Sequence, residues 1–297
     1  MIFVTVILPV ILIFLSGYTL QRIFRLDLKP ISTLAIYILT PSLVFRTFYT
    51  TPLDINLFYI AATSLLLLVG LIVITAITSR LCKYDKQQES ALMLSTAFMN
   101  TGNYGAPIIL FAFGEAGFHY SIPLMVFQSI IMSIFGVYFA ARGQSDIRIA
   151  VKTILKMPAN YAVIIAILLH RFQVKIPDNF YQSIDLVAEA AIPVVMLILG
   201  MQLANISSKS IEWKGISLAS MIRLIASPLL AYLICQLFPL DPLLQKVIIT
   251  GAAMPCAATT TMYAIQFNVK PHFVSTGTLV TTLLSFGTLT VLLSILH

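Results

Sequence analysis

Apolar residues run along this chain in stretches of about 20, cut by short polar segments, over its whole length. A helix of that length crosses a hydrocarbon core ~30 Å thick. Ten such stretches fall near 2–21, 31–48, 56–79, 90–112, 119–140, 149–169, 182–203, 213–237, 243–267 and 273–296. They predict an all-α polytopic membrane protein of ten spans. No Lys or Arg precedes the first stretch, and it is longer than the apolar region of a secretory signal, so it is expected to be a true span. The segments between spans are too short to hold a soluble domain.

Composition agrees with lipid as the solvent. Of 297 residues, 59% are hydrophobic and 10% charged, with a mean hydropathy of +0.96. A soluble domain is roughly 45–50% apolar and about 25% charged. The net charge of +7 is not gathered into a patch, so no nucleic-acid partner is expected. The basic residues sit in alternate loops: Arg22, Arg25 and Lys29; Arg80, Lys83 and Lys86; Arg142, Arg148, Lys152 and Lys156; Lys209 and Lys214; and Lys270. The opposite loops hold Arg171 and Lys175. Thirteen against two places the first set in the cytoplasm and both termini outside, in a plasma or inner membrane.

The chain reads as two halves, 1–145 and 146–297, of five spans each. Pro158 follows Pro9 by 149 residues and Pro193 follows Pro41 by 152. An odd number of spans inverts the second half, which is the plan of many secondary transporters. The fourth span of each half carries residues foreign to a plain helix. Span 4 contains Asn100, Thr101, Gly102, Asn103, Gly105 and Pro107, and span 9 contains Pro255, Cys256, Thr259, Thr260 and Thr261. Proline removes a backbone donor, and glycine lowers the cost of leaving helical geometry. Both spans are expected to break there, with Gly102 and Gly105 easing the first break. Non-helical backbone at membrane depth is tolerated where it lines a cavity, and a fresh helix N-terminus offers N–H groups to an anion. Plain proline kinks are the alternative.

These residues resemble the auxin efflux carrier family, which includes plant PIN-type carriers and bacterial permeases assigned to dicarboxylates such as malate and malonate. The resemblance covers nearly the whole chain. It is strongest at Asn100-Thr101 with Gly105 and Pro107, at Met254-Pro255 through Asn268-Val269, and at Lys156-Met157-Pro158-Ala159-Asn160. It implies a fold like that of sodium/proton antiporters and bile-acid symporters. Spans 1, 2, 6 and 7 would form a scaffold and spans 3–5 and 8–10 a transport domain moving as an elevator. Spans 4 and 9 would cross where the substrate carboxylate binds. Plant relatives suggest a homodimer through the scaffold. Met99 stands where plant carriers often have proline, and the loop between the halves is short; both features favour the bacterial subgroup.

Charged residues inside spans are functional candidates by default. Arg223 lies nine residues after Lys214, about 13 Å deep at 1.5 Å per residue. It is expected either to neutralise a substrate carboxylate or to form a structural ion pair, with Glu189 as a partner. Asp185 and Glu189 share a helix face four residues apart, and Glu189 is a candidate for proton coupling, since desolvation raises a carboxyl pKa. Arg46 is expected to snorkel to the interface. Glu115, His119, His170, His272 and His297 fall at span ends, and Tyr18, Tyr37 and Trp213 at the lipid or its interface. Cys82 and Cys235 are expected to be inert, and the three cysteines have no metal or redox spacing. No cofactor or metal is expected.

The residues point to a carrier of small organic anions such as mono- or dicarboxylates, with proton or sodium coupling open. A sodium-coupled symporter or cation/proton antiporter on the same fold is the alternative; an antiporter should show paired acids at the crossing. An intramembrane enzyme would need a catalytic constellation such as HExxH, which the sequence lacks. A sensor would need a signalling domain.

Overall fold

A computed structural model describes residues 2–50, 54–141, 155–205 and 212–296. Arg142, Arg148, Lys152, Lys209 and His297 lie outside the described residues, as does the first part of the sixth predicted span. The helices are α1 (Phe3–Phe24), α2 (Leu28–Thr50), α3 (Ile55–Leu81), α4 (Lys86–Thr96), α5 (Thr101–Ala141) and α6 (Pro158–Arg171). They continue as α7 (Asp178–Ala204), α8 (Trp213–Cys235), α9 (Pro242–Ala252), α10 (Ala258–Gln266) and α11 (Pro271–Leu296). The chain is therefore an all-helical, multi-pass membrane protein.

Seven of these helices are long and apolar enough to cross a membrane: α1, α2, α3, α5, α7, α8 and α11. Of the three predicted spans not among them, the sixth is α6, whose first part lies outside the described residues, and the other two have a physical cause. Spans 4 and 9 are each cut in two, leaving α4, α9 and α10 short. The 41 residues of α5 join the far half of span 4 to span 5. They bend at Gly114, whose φ of 64° and ψ of −164° belong to a region essentially reserved for glycine.

Loop aspartates start four of the helices. Asp27, Asp54, Asp85 and Asp241 accept from the backbone N–H groups of Lys29, Asn56, Gln88 and Leu243 at 3.0, 2.9, 2.7 and 2.9 Å. They satisfy donors that a first helical turn leaves free. Four of the prolines inside the spans are accommodated by wide turns. Five-residue π-helical turns at Phe3–Ile7, Ala35–Leu39, Thr101–Gly105 and Ile222–Ala226 each end two residues before a proline: Pro9, Pro41, Pro107 and Pro228. The wider turn makes room for a ring that would clash with the carbonyl four residues back.

Packing falls into two sets of contacts. α1 packs along α7, and α2 packs on α6 and α7. The α1–α7 contact is backbone to backbone: a Cβ on Gly17 would strike the carbonyl of Leu197, and one on Gly200 the carbonyl of Phe14. Small residues allow such an approach where lipid removes the hydrophobic drive between helices. In the second set α3 packs on α4, α5 and α8, while α9 packs on α5 and α8. There too α11 packs on α10, α8 and α4.

Candidate functional site

The two helix breaks meet. Between α4 and α5 the chain is extended at Met99, and between α9 and α10 at Cys256, and these residues form an antiparallel bridge. Asn100 N–H donates to the Pro255 carbonyl at 2.9 Å, and Ala257 N–H donates to the Phe98 carbonyl at 3.1 Å. Each broken span thus supplies the hydrogen bonds that the other lost. Pro255 contributes only its carbonyl, so its missing N–H costs nothing here. The break in span 4 comes earlier than its glycines predict. Residues 97–100 leave the helix, whereas Gly102 and Gly105 lie inside the turn that starts α5, and Gly105 keeps a helical φ of −69°. Lack of bulk is what these glycines offer. A Cβ would sit 3.2 Å from the Met125 sulfur at Gly102, and 3.1 Å from Met254 Cγ at Gly105.

Four helix ends converge on this crossing with opposite polarity on its two sides. On one side lies a cavity of about 220 Å³. Asn100 to Asn103 line it from the start of α5, Ala257 and Thr259 from the start of α10, and Met157 to Asn160 from the start of α6. Three helix N-termini therefore face one space, each carrying about half a positive charge on its free N–H groups. The described lining contains no charged side chain. Its polar groups include the amides of Asn100 and Gln128, whose Nδ2 and Nε2 atoms are buried without a hydrogen-bond partner. Two unpaired buried donors are unusual and ready for an acceptor.

On the other side, the last residues of α4 and α9 present their carbonyls to Arg223, which is fully buried. Its Nη1 donates to Thr96 O and its Nη2 to Ala252 O, both at 2.6 Å. Nη2 also donates to Ser227 Oγ, which itself donates to Ala252 O at 2.8 Å. No carboxylate among the described residues lies within ion-pair distance of this guanidinium.

Comparison with known proteins decides what kind of molecule this is. The family model described as membrane transport protein matches residues 2–293. The chain belongs to that family, the auxin efflux carriers. It is similar to an uncharacterized transporter of Methanocaldococcus jannaschii, at 26% identity over 94% of each chain. It is also similar to one of Methanothermobacter thermautotrophicus, at 24% identity over 95% of each. Neither name specifies a substrate.

In this transporter the predicted site residues separate. Asn100, Thr101, Gly102, Asn103 and Thr259 line the central cavity. Gly105, Pro107, Pro255, Cys256 and Thr260 do not; they are buried behind it, building the crossing. Cys256 Sγ lies 3.3 Å from Thr260 Oγ1. Arg223 is not paired with Glu189, because its partners are the two helix-end carbonyls and Ser227. Glu189 is exposed and lines a separate cavity of about 630 Å³ with Arg46, Asp185, Glu115 and His119. Asp185 pairs with Arg46 at 2.8 Å, joining α7 to α2, so Arg46 has a fixed partner and does not simply snorkel. Sequence reasoning missed Gln128, which has no flanking signal. It also left the start of α6 out of the site, although Pro158 marks a helix start and would have pointed to it.

A third cavity of about 850 Å³ shares Ile36, Thr40, Asn103, Val195 and Thr259 with the central one. Its lining extends to Leu28, Asn205, Asn268 and His272, at helix ends on the face with the basic loops. Among the described residues, the cavity holding Glu189 shares only Ile192 with the central one.

Proposed function

We propose that this protein is a secondary transporter of small organic anions, mono- or dicarboxylates, working by elevator-type alternating access. The observation that carries the reading is the convergence of three helix N-termini and two unpaired amide donors on one cavity without charged side chains. Such a space stabilises a carboxylate through backbone N–H groups and helix ends. A cation entering without an anion would meet the wrong end of every dipole, and the described lining offers no acid to an antiported proton, so the cation/proton antiporter alternative is disfavoured.

The elevator reading draws on the two packing sets. One, α1, α2, α6 and α7, corresponds to the implied scaffold, and the other, α3–α5 with α8–α11, to the transport domain. The inverted five-span repeat is supported by the crossing of two breaks at matching places in the halves. With the basic loops in the cytoplasm, the 850 Å³ cavity opens the central site inward. Proton or sodium coupling and a homodimer belong to the same proposal.

The test is uptake into liposomes holding the purified protein alone. Asn100→Ala is expected to insert and fold but lose most carboxylate flux. Wild-type flux in that variant overturns the assignment.

A further inference from the structure

We propose that Arg223 is a resident cation that sets the geometry and polarity of the anion site without touching the substrate. The inference rests on the anion reading above for its affinity readout. Arg223 does not line the central cavity. It sits behind the crossing, where α4 and α9 end. Each of those ends carries about half a negative charge, so one guanidinium balances the pair. With no acid beside it among the described residues, the helix ends are its counter-charge. Three N–H···O contacts from its two Nη atoms reach two carbonyls and one hydroxyl, while its buried Nε has no hydrogen-bond partner.

The planar fork also fixes distance. Nη1 holds Thr96 and Nη2 holds Ala252, which belong to different broken spans. Only four residues separate Thr96 from Thr101 at the start of α5, and five separate Ala252 from Ala258 at the start of α10. Fixing the two C-termini therefore fixes the two N-termini on the far side of the crossing. The wide turn at Ile222–Ala226 carries Arg223, and Ser227 follows it directly, so both side chains reach the same carbonyl. Without the cation, two negative helix ends would face each other at the back of a site that must attract an anion. Arg223 is thus a positioning residue, and charge is its operative property.

The experiment compares wild type, Arg223→Lys, Arg223→Met and Ser227→Asp in detergent, and the probe is whichever of acetate, benzoate and malonate raises the wild-type melting temperature most. Lysine keeps the charge without the fork, and its ammonium has donors enough for both carbonyls, so it is expected to bind the probe within about threefold of wild type. Methionine removes the charge, and Ser227→Asp cancels it while giving Arg223 a partner. Each is expected to weaken binding roughly 10- to 30-fold, the loss of alignment at two helix termini. Hydrogen exchange should quicken at 97–100 and 253–257 in Arg223→Met and stay unchanged in α2 and α6, which a general loss of stability would not produce. Wild-type affinity in either charge-cancelling variant that folds overturns the proposal, as does an Arg223→Lys variant weakened tenfold or more. If no carboxylate shifts the wild type, the anion reading fails. Exchange then decides alone, and crossing segments as protected in Arg223→Met as in wild type refute the positioning role.

Discussion

Replacing Asn100 by aspartate tests the sign of the site with almost no change in shape. Asn100 contributes to the crossing through its main chain, donating to Pro255 O and accepting from Gly105 N–H, each at 2.9 Å. Its Nδ2 has no partner to lose. A carboxylate at this position sits just before the start of α5, where helix ends favour negative charge, so Asn100→Asp should fold as well as wild type. A bound anion touching residue 100 would lie about 4 Å from the new charge. At an effective dielectric of about 20 the repulsion is about 4 kcal/mol, or roughly a thousandfold in affinity. Binding can instead take up a proton on the aspartate. That route limits the loss increasingly as the pH falls. Affinity lost at pH 7.5 should therefore return in part on acidification, because the protonated side chain is again neutral. Melting shifts with a carboxylate series at pH 7.5 and at a lower pH, with and without sodium, measure this directly. Carboxylate binding at wild-type strength in Asn100→Asp, or a new sodium-dependent stabilisation, would refute the anion assignment.

Other substitutions probe the frame. Gly200→Ala drives a methyl group into the Phe14 carbonyl, a backbone atom that cannot step aside; a drop in melting temperature equivalent to about 3 kcal/mol or more is expected. Gly114→Ala meets no atom within 4 Å, yet should cost about 1–3 kcal/mol from the backbone conformation alone, read by the same melt. Asp185→Asn breaks a pair whose side chains are 23% and 40% exposed, so its stability effect should stay within about 1 kcal/mol; a large loss would show that the α2–α7 joint depends on it.

Much of the fold is legible in the sequence because bilayer thickness imposes one length on every span. The breaks are legible too, since Asn100, Pro107 and Pro255 stand out in apolar stretches. Their partners are not. That Met99 pairs with Cys256 depends on backbone groups, which every residue carries alike. Depth along a helix located Arg223 as buried but could not say what it touches. Arginine suggests an acid, and its partners are carbonyls at the ends of helices that the same sequence breaks. Gln128 is an ordinary polar residue until the bend at Gly114 folds its helix arm back toward the crossing.

The crossing is joined main chain to main chain, and that has a consequence for how such carriers change over time. No particular side chain at Met99 or Cys256 is required for the two hydrogen bonds that hold the broken spans together. Side chains at these two positions can change within the space their neighbours leave without dismantling the joint. A lineage can thus exchange the groups that face the cargo, one position at a time, while the mechanical centre of the machine stays intact. Retuning what is carried needs no rebuilding of how it is carried.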